Sequence, residues 1–361
     1  MFNSVAYGAK AAQAKLERME VERDDPRDNE VRIEVLFTGV CHSDIHQVKN
    51  EWMNTVYPCV PGHEIVGRVA AAGGKVTRFK EGDMVGVGCM IDSCRKCEPC
   101  RSGDQNYCEG ANSWLATYNG PMNPASMTED GSNMYGKDNT FGGYSDTVVV
   151  PEDFVLSIPD KLDPKSAPPI LCAGVTVYSP MRYWKIGEGS KVGVLGLGGL
   201  GHMAVQIAKA LGAQVTVFTS TPEKIEDAKR LGADDAFVET DKTSLAELEG
   251  SFDMILSTVP EKHEVAPFLE LLKRNANLVV VGNLDVIDGV DNMQMSMRRQ
   301  SVAGSLIGNL AETQEVLDLC AEHGIAPQVE MLDIKDINDA FTRVENGEVR
   351  FRYVIDMATL N

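Results

Sequence analysis

The sequence predicts an α/β protein of two domains, one a doubly wound parallel sheet and the other mostly β. Three observations carry this. A chain of 361 residues is long for a single hydrophobic core. After about residue 156, apolar strands alternate with amphipathic helices, the pattern of βαβ units. Before that point the chain is rich in glycine and short β-like runs, and it places four cysteines in the stretch DSCRKCEPCRSGDQNYCEG, residues 92–110.

Taken in order, residues 31–39 (VRIEVLFTG) alternate apolar and polar side chains and are expected as a strand. EIVGRVAAAG and GDMVGVGCM continue an irregular β domain, and residues 112–143, rich in Asn, Gly, Pro and Met, are expected as a long surface loop. KVGVLG then reads as a buried strand, GHMAVQIAKALG as a helix ending at Gly212, and QVTVFTS as a second strand. PEKIEDAKRLG is the next helix, and FDMILSTV and NANLVVVGN are further strands. Beyond residue 304 come a helix, ETQEVLDLCAEHG, and a last strand, RYVIDM. Periodicity alone leaves this tail open to either domain.

Composition narrows the function. Hydrophobic residues at 43% and charged residues at 24% fit a globular protein. A net charge of −19 repels phosphate backbones, and the pairs Arg298-Arg299 and Lys273-Arg274 are too short to form a basic stripe. Nucleic acid is therefore not an expected partner. No apolar run approaches the roughly 18 residues that span a membrane, and the first residues turn charged before a secretory signal could form. An odd count of nine cysteines suits a reducing cytoplasm, where clustered thiols are more often metal ligands than disulfides.

VLGLGGLG sets Gly196, Gly198 and Gly201 in G-x-G-x-x-G spacing, with Gly199 between them. A strand enters the motif and a helix leaves it, the context of a dinucleotide-binding, Rossmann-type turn. Gly196 allows the tight turn, Gly198 the approach of a pyrophosphate, and Gly201 close helix packing. The helix N-terminus would meet the phosphates. At the end of the second strand an NAD site would place Asp or Glu. This chain has Thr219, Ser220 and Thr221, with Lys224 one turn later. Hydroxyls and a cation suit a 2′-phosphate, so NADP(H) is the expected cofactor; the same hydroxyls could also be helix N-caps.

Two further polar sets stand apart from the cysteine cluster: GVCHSDIH (39–46) with PGHEIVG (61–67), and LCAGVTVYSP (171–180). Cys41, His63 and one more cysteine would make a Cys₂His set, three ligands and an open position, as in catalytic zinc. Spacing does not choose Cys172 over Cys59 or Cys89. Cys94, Cys97, Cys100 and Cys108, in C-x2-C-x2-C-x7-C spacing, form a closed four-thiolate set. Such a set gives zinc no open position and reads as a structural staple.

Together GVCHSD, PGHEIVG, the four-cysteine lobe, ILCAGVTVYSP, GLGGLGH and GNLAETQEVLDLCAEHGI resemble the zinc-dependent medium-chain alcohol dehydrogenases. The resemblance is to the cinnamyl-alcohol-dehydrogenase-like branch, with its bacterial NADPH-dependent aldehyde reductases, and it covers nearly the full length. It implies a GroES-like catalytic domain from residues 1–156 and 305–361, and a Rossmann domain from 157–304. It also implies two zinc ions, one held by Cys41, His63 and Cys172 and one by the four cysteines, and a homodimer formed through the cofactor domains. Glu64 matches a glutamate that can approach the metal when its water exchanges, and Asp44 a carboxylate that orients the histidine ligand. Ser43 and His46 match a proton relay from substrate oxygen to solvent, and Thr176 a residue near the nicotinamide. Ser220 and Lys224 match contacts to the NADP phosphate, and Trp52 and Met90 the substrate pocket. The implied reaction is hydride transfer between NADP(H) and primary alcohols or aldehydes, aromatic or medium-chain, favouring aldehyde reduction.

Other readings stand beside these. His42 and His46, four apart, could be an exposed helical pair, and Glu64 a merely structural carboxylate. Cys59, Cys89 and Cys320 are expected as buried small hydrophobes. His202 is expected on the helix surface or beside the cofactor, without an assigned role. The competing functions are an NAD-dependent polyol or secondary-alcohol dehydrogenase and a non-catalytic cofactor-binding relative.

Overall fold

The computed structural model describes residues 1–110, 117–119, 139–282, 286–287 and 289–360. The chain forms two compact units, Met1–Cys172 with Asn309–Asn361, and Ala173–Gly308. The first unit thus runs past residue 156 to Cys172, and the tail beyond 308 returns to it.

The first unit opens with a hairpin, β1 (Phe2–Gly8) antiparallel to β2 (Glu17–Arg23). The expected strand follows as β3 (Glu30–Gly39). It buries Val31, Ile33 and Val35 and exposes Glu34, so its period of two defines one core face. After α1 (His42–Lys49) come β4 (Ile65–Ala72), β5 (Met84–Val87), the short α2 (Glu98–Ser102), β6 (Thr147–Pro151) and β7 (Leu156–Ser157). Most of the loop expected over 112–143 lies outside the described residues. Of its described residues, Thr117, Tyr118, Asn119, Gly142 and Gly143 are buried rather than on the surface, and 139–141 are half-buried. Asn119 Nδ2 donates to the Val56 carbonyl at 2.7 Å and its Oδ1 accepts from the Val56 N–H at 2.8 Å, so the side chain replaces a strand partner there.

The second unit begins with α3 (Ala173–Tyr183), then β8 (Lys191–Leu195), α4 (Gly201–Ala210), β9 (Gln214–Thr219), α5 (Lys224–Arg230) and β10 (Asp235–Val238). α6 (Lys242–Glu247), β11 (Phe252–Ser257), α7 (Ala266–Leu269), β12 (Leu272–Val280), α8 (Asn292–Arg298) and β13 (Ser301–Gly304) complete it. Its six strands run in the order β10-β9-β8-β11-β12-β13 and every neighbouring pair is parallel. Alternation of strand and helix in the sequence requires this, because a parallel neighbour needs a crossover. One side of the sheet packs Phe218, Phe252 and Phe268, whose rings meet edge to face at 5.7 and 5.6 Å, with Ile255, Leu269 and Leu278.

The tail supplies α9 (Leu310–His323), β14 (Val329–Asp333), α10 (Ile337–Glu345) and β15 (Arg352–Asp356). α9 starts in a capping box, with Asn309 Oδ1 accepting the Glu312 N–H at 2.8 Å and Glu312 Oε2 accepting the Asn309 N–H at 3.0 Å. It stops at Gly324, whose φ of +66° suits glycine. β15 lies between β14 and β3 in the sheet β14-β15-β3-β4-β5-β7, with β6 also on β3. Among the described residues, no helix is long and apolar enough to cross a membrane.

Phe218 is wholly buried between two other rings. Phe218→Ala is expected to cost about 3–5 kcal/mol, read as a lower calorimetric transition for the second unit with that of the first unmoved.

Candidate functional site

The first cluster is assembled by one carboxylate. Cys41 is the N-cap of α1, and Asp44 sits three residues on. Asp44 Oδ2 accepts the Cys41 N–H at 3.0 Å, and Oδ1 accepts the Gly62 N–H at 3.0 Å. The same Oδ1 lies 3.0 Å from His63 Nδ1. A carboxylate only accepts, so Nδ1 carries a hydrogen and Nε2 is the nitrogen left for a metal. Gly62 has φ +106° and its Cβ position would meet Tyr144 at 2.7 Å, so glycine is needed where the chain turns His63 inward. Cys172 enters from a buried turn at Pro168–Leu171. One donor atom each from Cys41, His63, Glu64 and Cys172 lies within 4.8 Å of the others.

This chemistry suits a soft, borderline cation. A hydrogen bond from Cys172 holds the Cys41 thiol well below its ordinary pKa, helped by His63 against the effect of burial. The same bond holds the Cys172 proton, so that thiol is raised. The pair shares one proton, which a metal would displace. Burial works to lower the His63 pKa, but Asp44 and Cys89 outweigh it and leave the imidazole strongly basic. A more basic imidazole is a better ligand. The residues therefore fit zinc.

Glu64 is fully buried, and burial pushes its carboxyl up to about 7 although Arg352 pulls the other way. Arg352, the first residue of β15, is itself buried and donates through Nη2 to Glu64 Oε1. Burial alone would lower the Arg352 pKa, but Glu64, Cys41 and Cys172 hold it above its ordinary value. A Cβ on Gly39 would lie 1.8 Å from Glu64 Oε2, so only glycine at the end of β3 leaves room for that carboxylate. Arg352 was not singled out in the sequence. Its signal is an arginine heading the apolar strand RYVID.

Cys89 also departs from expectation. Cys59 and Cys320 are buried, but Cys89 is only half-buried. Its side chain hydrogen-bonds with Cys172 and its charge bears on His63, so it belongs beside the metal cluster rather than in a core. The reason is the chain path, since β5 ends at Val87 and carries the next residues to the cluster. Met90, buried, follows it. Ser43, His46 and Trp52 are half-buried. His46 hydrogen-bonds through Nδ1 to Glu51 Oε2 and lies 5.6 Å from the Trp52 ring and 6.1 Å from His42. His42 is not an exposed partner: burial lowers its pKa.

The second cluster is Cys94, Cys97, Cys100 and Cys108, with all four sulfurs within 4.8 Å of one another. Cys97 caps α2 and Gly103, at φ +95°, ends it, so Cys100 is carried on a single helical turn. Backbone N–H groups of Lys96 and Cys97 point at Cys94 Sγ at 3.4 and 3.3 Å, and that of Gly110 at Cys108 Sγ at 3.4 Å. Burial would raise the Cys94 thiol, but those amides bring it to about 6. A Cβ on Gly110 would lie 2.3 Å from Cys94 Sγ, which keeps that approach open to glycine alone. Four thiols, the only donors grouped there among the described residues, fit a closed zinc set.

In the second unit the glycine turn matches a dinucleotide. Gly196 has φ +90°, and a Cβ on Gly201 would lie 2.2 Å from the Gly196 carbonyl. At Gly198 the Cβ position faces open space, room that a pyrophosphate could use. Half-buried Gly199 lies between them. His202 is wholly buried, not on the helix surface. Thr219 is buried too, and its Oγ1 accepts the Thr221 N–H at 3.5 Å, so it shapes the turn that presents exposed Ser220. The N-cap of α5 is Glu223, not one of the hydroxyls, and Lys224 is its first residue. Thr176 lies buried in α3 of this unit.

Two family models match the chain, the alcohol dehydrogenase GroES-like domain over residues 27–160 and the zinc-binding dehydrogenase over 199–322. Aldehyde reductase YahK of Escherichia coli is 46% identical over 98% of both chains. The chain belongs to the zinc-binding alcohol dehydrogenase family. Among solved members, a cinnamyl alcohol dehydrogenase of Sorghum bicolor superposes with a TM-score of 0.90 at 42% identity, covering 99% of this chain and 98% of that one. The cinnamyl alcohol dehydrogenase of Helicobacter pylori, solved with NADP(H), gives 0.88 at 35% identity, covering 99% and 98%. The dehydrogenase fold is therefore a GroES-like unit and a Rossmann-type parallel sheet, and the protein is an oxidoreductase.

Asp44→Asn keeps the shape but removes the negative charge and one acceptor. It is expected to weaken metal binding at the first cluster about 10–100-fold, measured by chelator competition, while the four-cysteine set is unaffected.

Proposed function

We propose that this dehydrogenase transfers hydride between NADP(H) and primary alcohols or aldehydes, working mainly as an aldehyde reductase on aromatic or medium-chain substrates. The observation that carries it is the cluster of Cys41, His63 and Cys172, with Glu64 tied to Arg352 instead of completing a closed set. Bound there, zinc would act as a Lewis acid on the substrate oxygen. The second zinc would be held by Cys94, Cys97, Cys100 and Cys108, giving two per chain.

The chain's own groups do the rest. Cys41 and Cys172 neutralise part of the metal charge, and Asp44 keeps the His63 ring aligned. Ser43 holds the substrate proton, and half-buried His46 exchanges it with solvent. Met90 and Trp52 supply apolar walls. The cofactor carries the hydride. Gly196, Gly198, Gly199 and Gly201 admit its pyrophosphate, and Thr176 stands by the nicotinamide. Ser220, Thr221 and Lys224 receive the 2′-phosphate on a turn shaped by Thr219. That strand end lacks the carboxylate an NAD ribose would meet, which disfavours the polyol dehydrogenase reading. The names of the E. coli aldehyde reductase and the NADP(H)-bound H. pylori enzyme support the same choice.

The domain division proposed is 1–156 with 305–361 for catalysis and 157–304 for the cofactor, each edge shifting by some residues against the compact units. β13 ends the six-stranded sheet, and its unpaired edge is where a second copy would add, giving a homodimer. Nine free cysteines suit a cytoplasmic enzyme.

Aldehydes and alcohols assayed with both cofactors should show kcat/KM for NADPH above that for NADH by about ten- to a hundredfold, the worth of charge-assisted bonds to one phosphate; equal values sink the cofactor assignment. Cys172→Ala should stay folded and bind NADPH, but lose turnover and one of two zinc ions, and near-normal rates would disprove the catalytic assignment. Light scattering on a sizing column should give twice the chain mass.

A further inference from the structure

We propose that Ser257 and His263 form a latch that shapes one wall of the dinucleotide crevice, which makes His263 a positioning residue for the cofactor. The inference rests on reading the second unit as the NADP(H) site. In the order β10-β9-β8-β11-β12-β13, the chain runs from β8 outward through β9 and β10, then resumes at β11 on the other side. The boundary between β8 and β11 is thus the topological switch point, beyond whose carboxyl ends a dinucleotide binds. Leu195 and Ser257, the last residues of these two strands, are register partners. The glycine turn after Leu195 is one wall. The segment after Ser257 is the other.

That second segment is held at both ends. Thr258 directs its hydroxyl at the Leu195 carbonyl at 3.0 Å and the Gly196 carbonyl at 3.1 Å. Its neighbour Val259 crosses so close to the turn after β12 that a Cβ on Gly282 would lie 2.3 Å from the Val259 carbonyl oxygen. Residues 260–262 then run exposed, and His263 brings the chain back. His263 Nδ1 is 2.8 Å from the Glu261 carbonyl oxygen, which can only accept, so Nδ1 carries the hydrogen. In the neutral ring Nε2 then has the lone pair, and it lies 2.8 Å from the Ser257 hydroxyl, which donates to it. Ser257 is wholly buried at the end of the otherwise apolar strand end MILS. A serine–histidine pair can mark a nucleophile, but a hydroxyl without exposure cannot reach a substrate. What the pair does is close residues 257–263 into a ring of set shape.

The test uses the full-length, zinc-loaded protein with Ser257→Ala, His263→Ala and the double variant. Fluorescence titration with NADPH should show Kd raised about tenfold in each single variant, the worth of one buried hydrogen bond, and no further in the double. KM for NADPH should follow Kd, while KM for the aldehyde and kcat at saturating NADPH stay within about twofold. His263→Gln, whose amide oxygen reaches the place of Nε2, should recover most of the affinity. Wild-type affinity in all variants overturns the latch. So does a loss that moves aldehyde KM and thermal stability equally, since that is a structural effect alone. If the wild type works with NADH only, the cofactor assignment fails, yet the same variants still read the latch through the pyrophosphate both cofactors share.

Discussion

The buried carboxylate of Asp44 is the point on which the metal-binding unit depends. It accepts from the backbone at the start of α1 and at Gly62, and it sets the tautomer of His63. Two chain segments, those of Cys41 and His63, are thereby tied to one side chain. A charge without exposure is costly unless every lone pair is used, and here the acceptors are used by groups that must be placed. The helix cap, the turn and the metal ligand are one arrangement, so none can shift without the others.

Two clusters of soft donors in one unit are built for different ends. The four-cysteine set is wrapped by backbone amides, a single-turn helix and a close glycine contact. The first cluster instead mixes a depressed thiol, a proton-holding thiol, a basic imidazole and a carboxylate paired with Arg352. Its geometry offers three donors and one restrained carboxylate. The donors of one cluster are dense in the sequence, and those of the other are dispersed over the chain.

Much of this was readable in the chain. The C-x2-C-x2-C-x7-C spacing, the strand–glycine–helix context at Gly196 and the helical stretch ETQEVLDLCAEHG are local signals, each written over a short span of sequence. What was not readable depends on distance. Cys172, Cys59 and Cys89 look alike in sequence, and only the fold sends the first to the cluster, buries the second and sets the third beside it. Arg352 and Glu64 are joined by sheet topology across most of the chain. Thr219 and Ser220 are neighbours with opposite orientations, because a strand end alternates its faces. The assignment of the tail was undecided by periodicity, since pairing of β15 with β3 is a long-range choice.

The second unit interrupts the first, and β15 fills a place between β14 and β3. During synthesis, residues 1–172 emerge with the whole donor set of Cys41, His63, Glu64 and Cys172, but without the strand that closes their sheet. At ribosomal rates of about 5–20 residues per second, the intervening unit delays that strand by on the order of ten seconds. For that interval the Phe37–Gly39 end of β3 lacks its partner, although β4 and β6 can already pair with the rest of the strand, and Glu64 lacks the arginine that later restrains it. The first unit can therefore complete its sheet only after the whole of the second unit has been made.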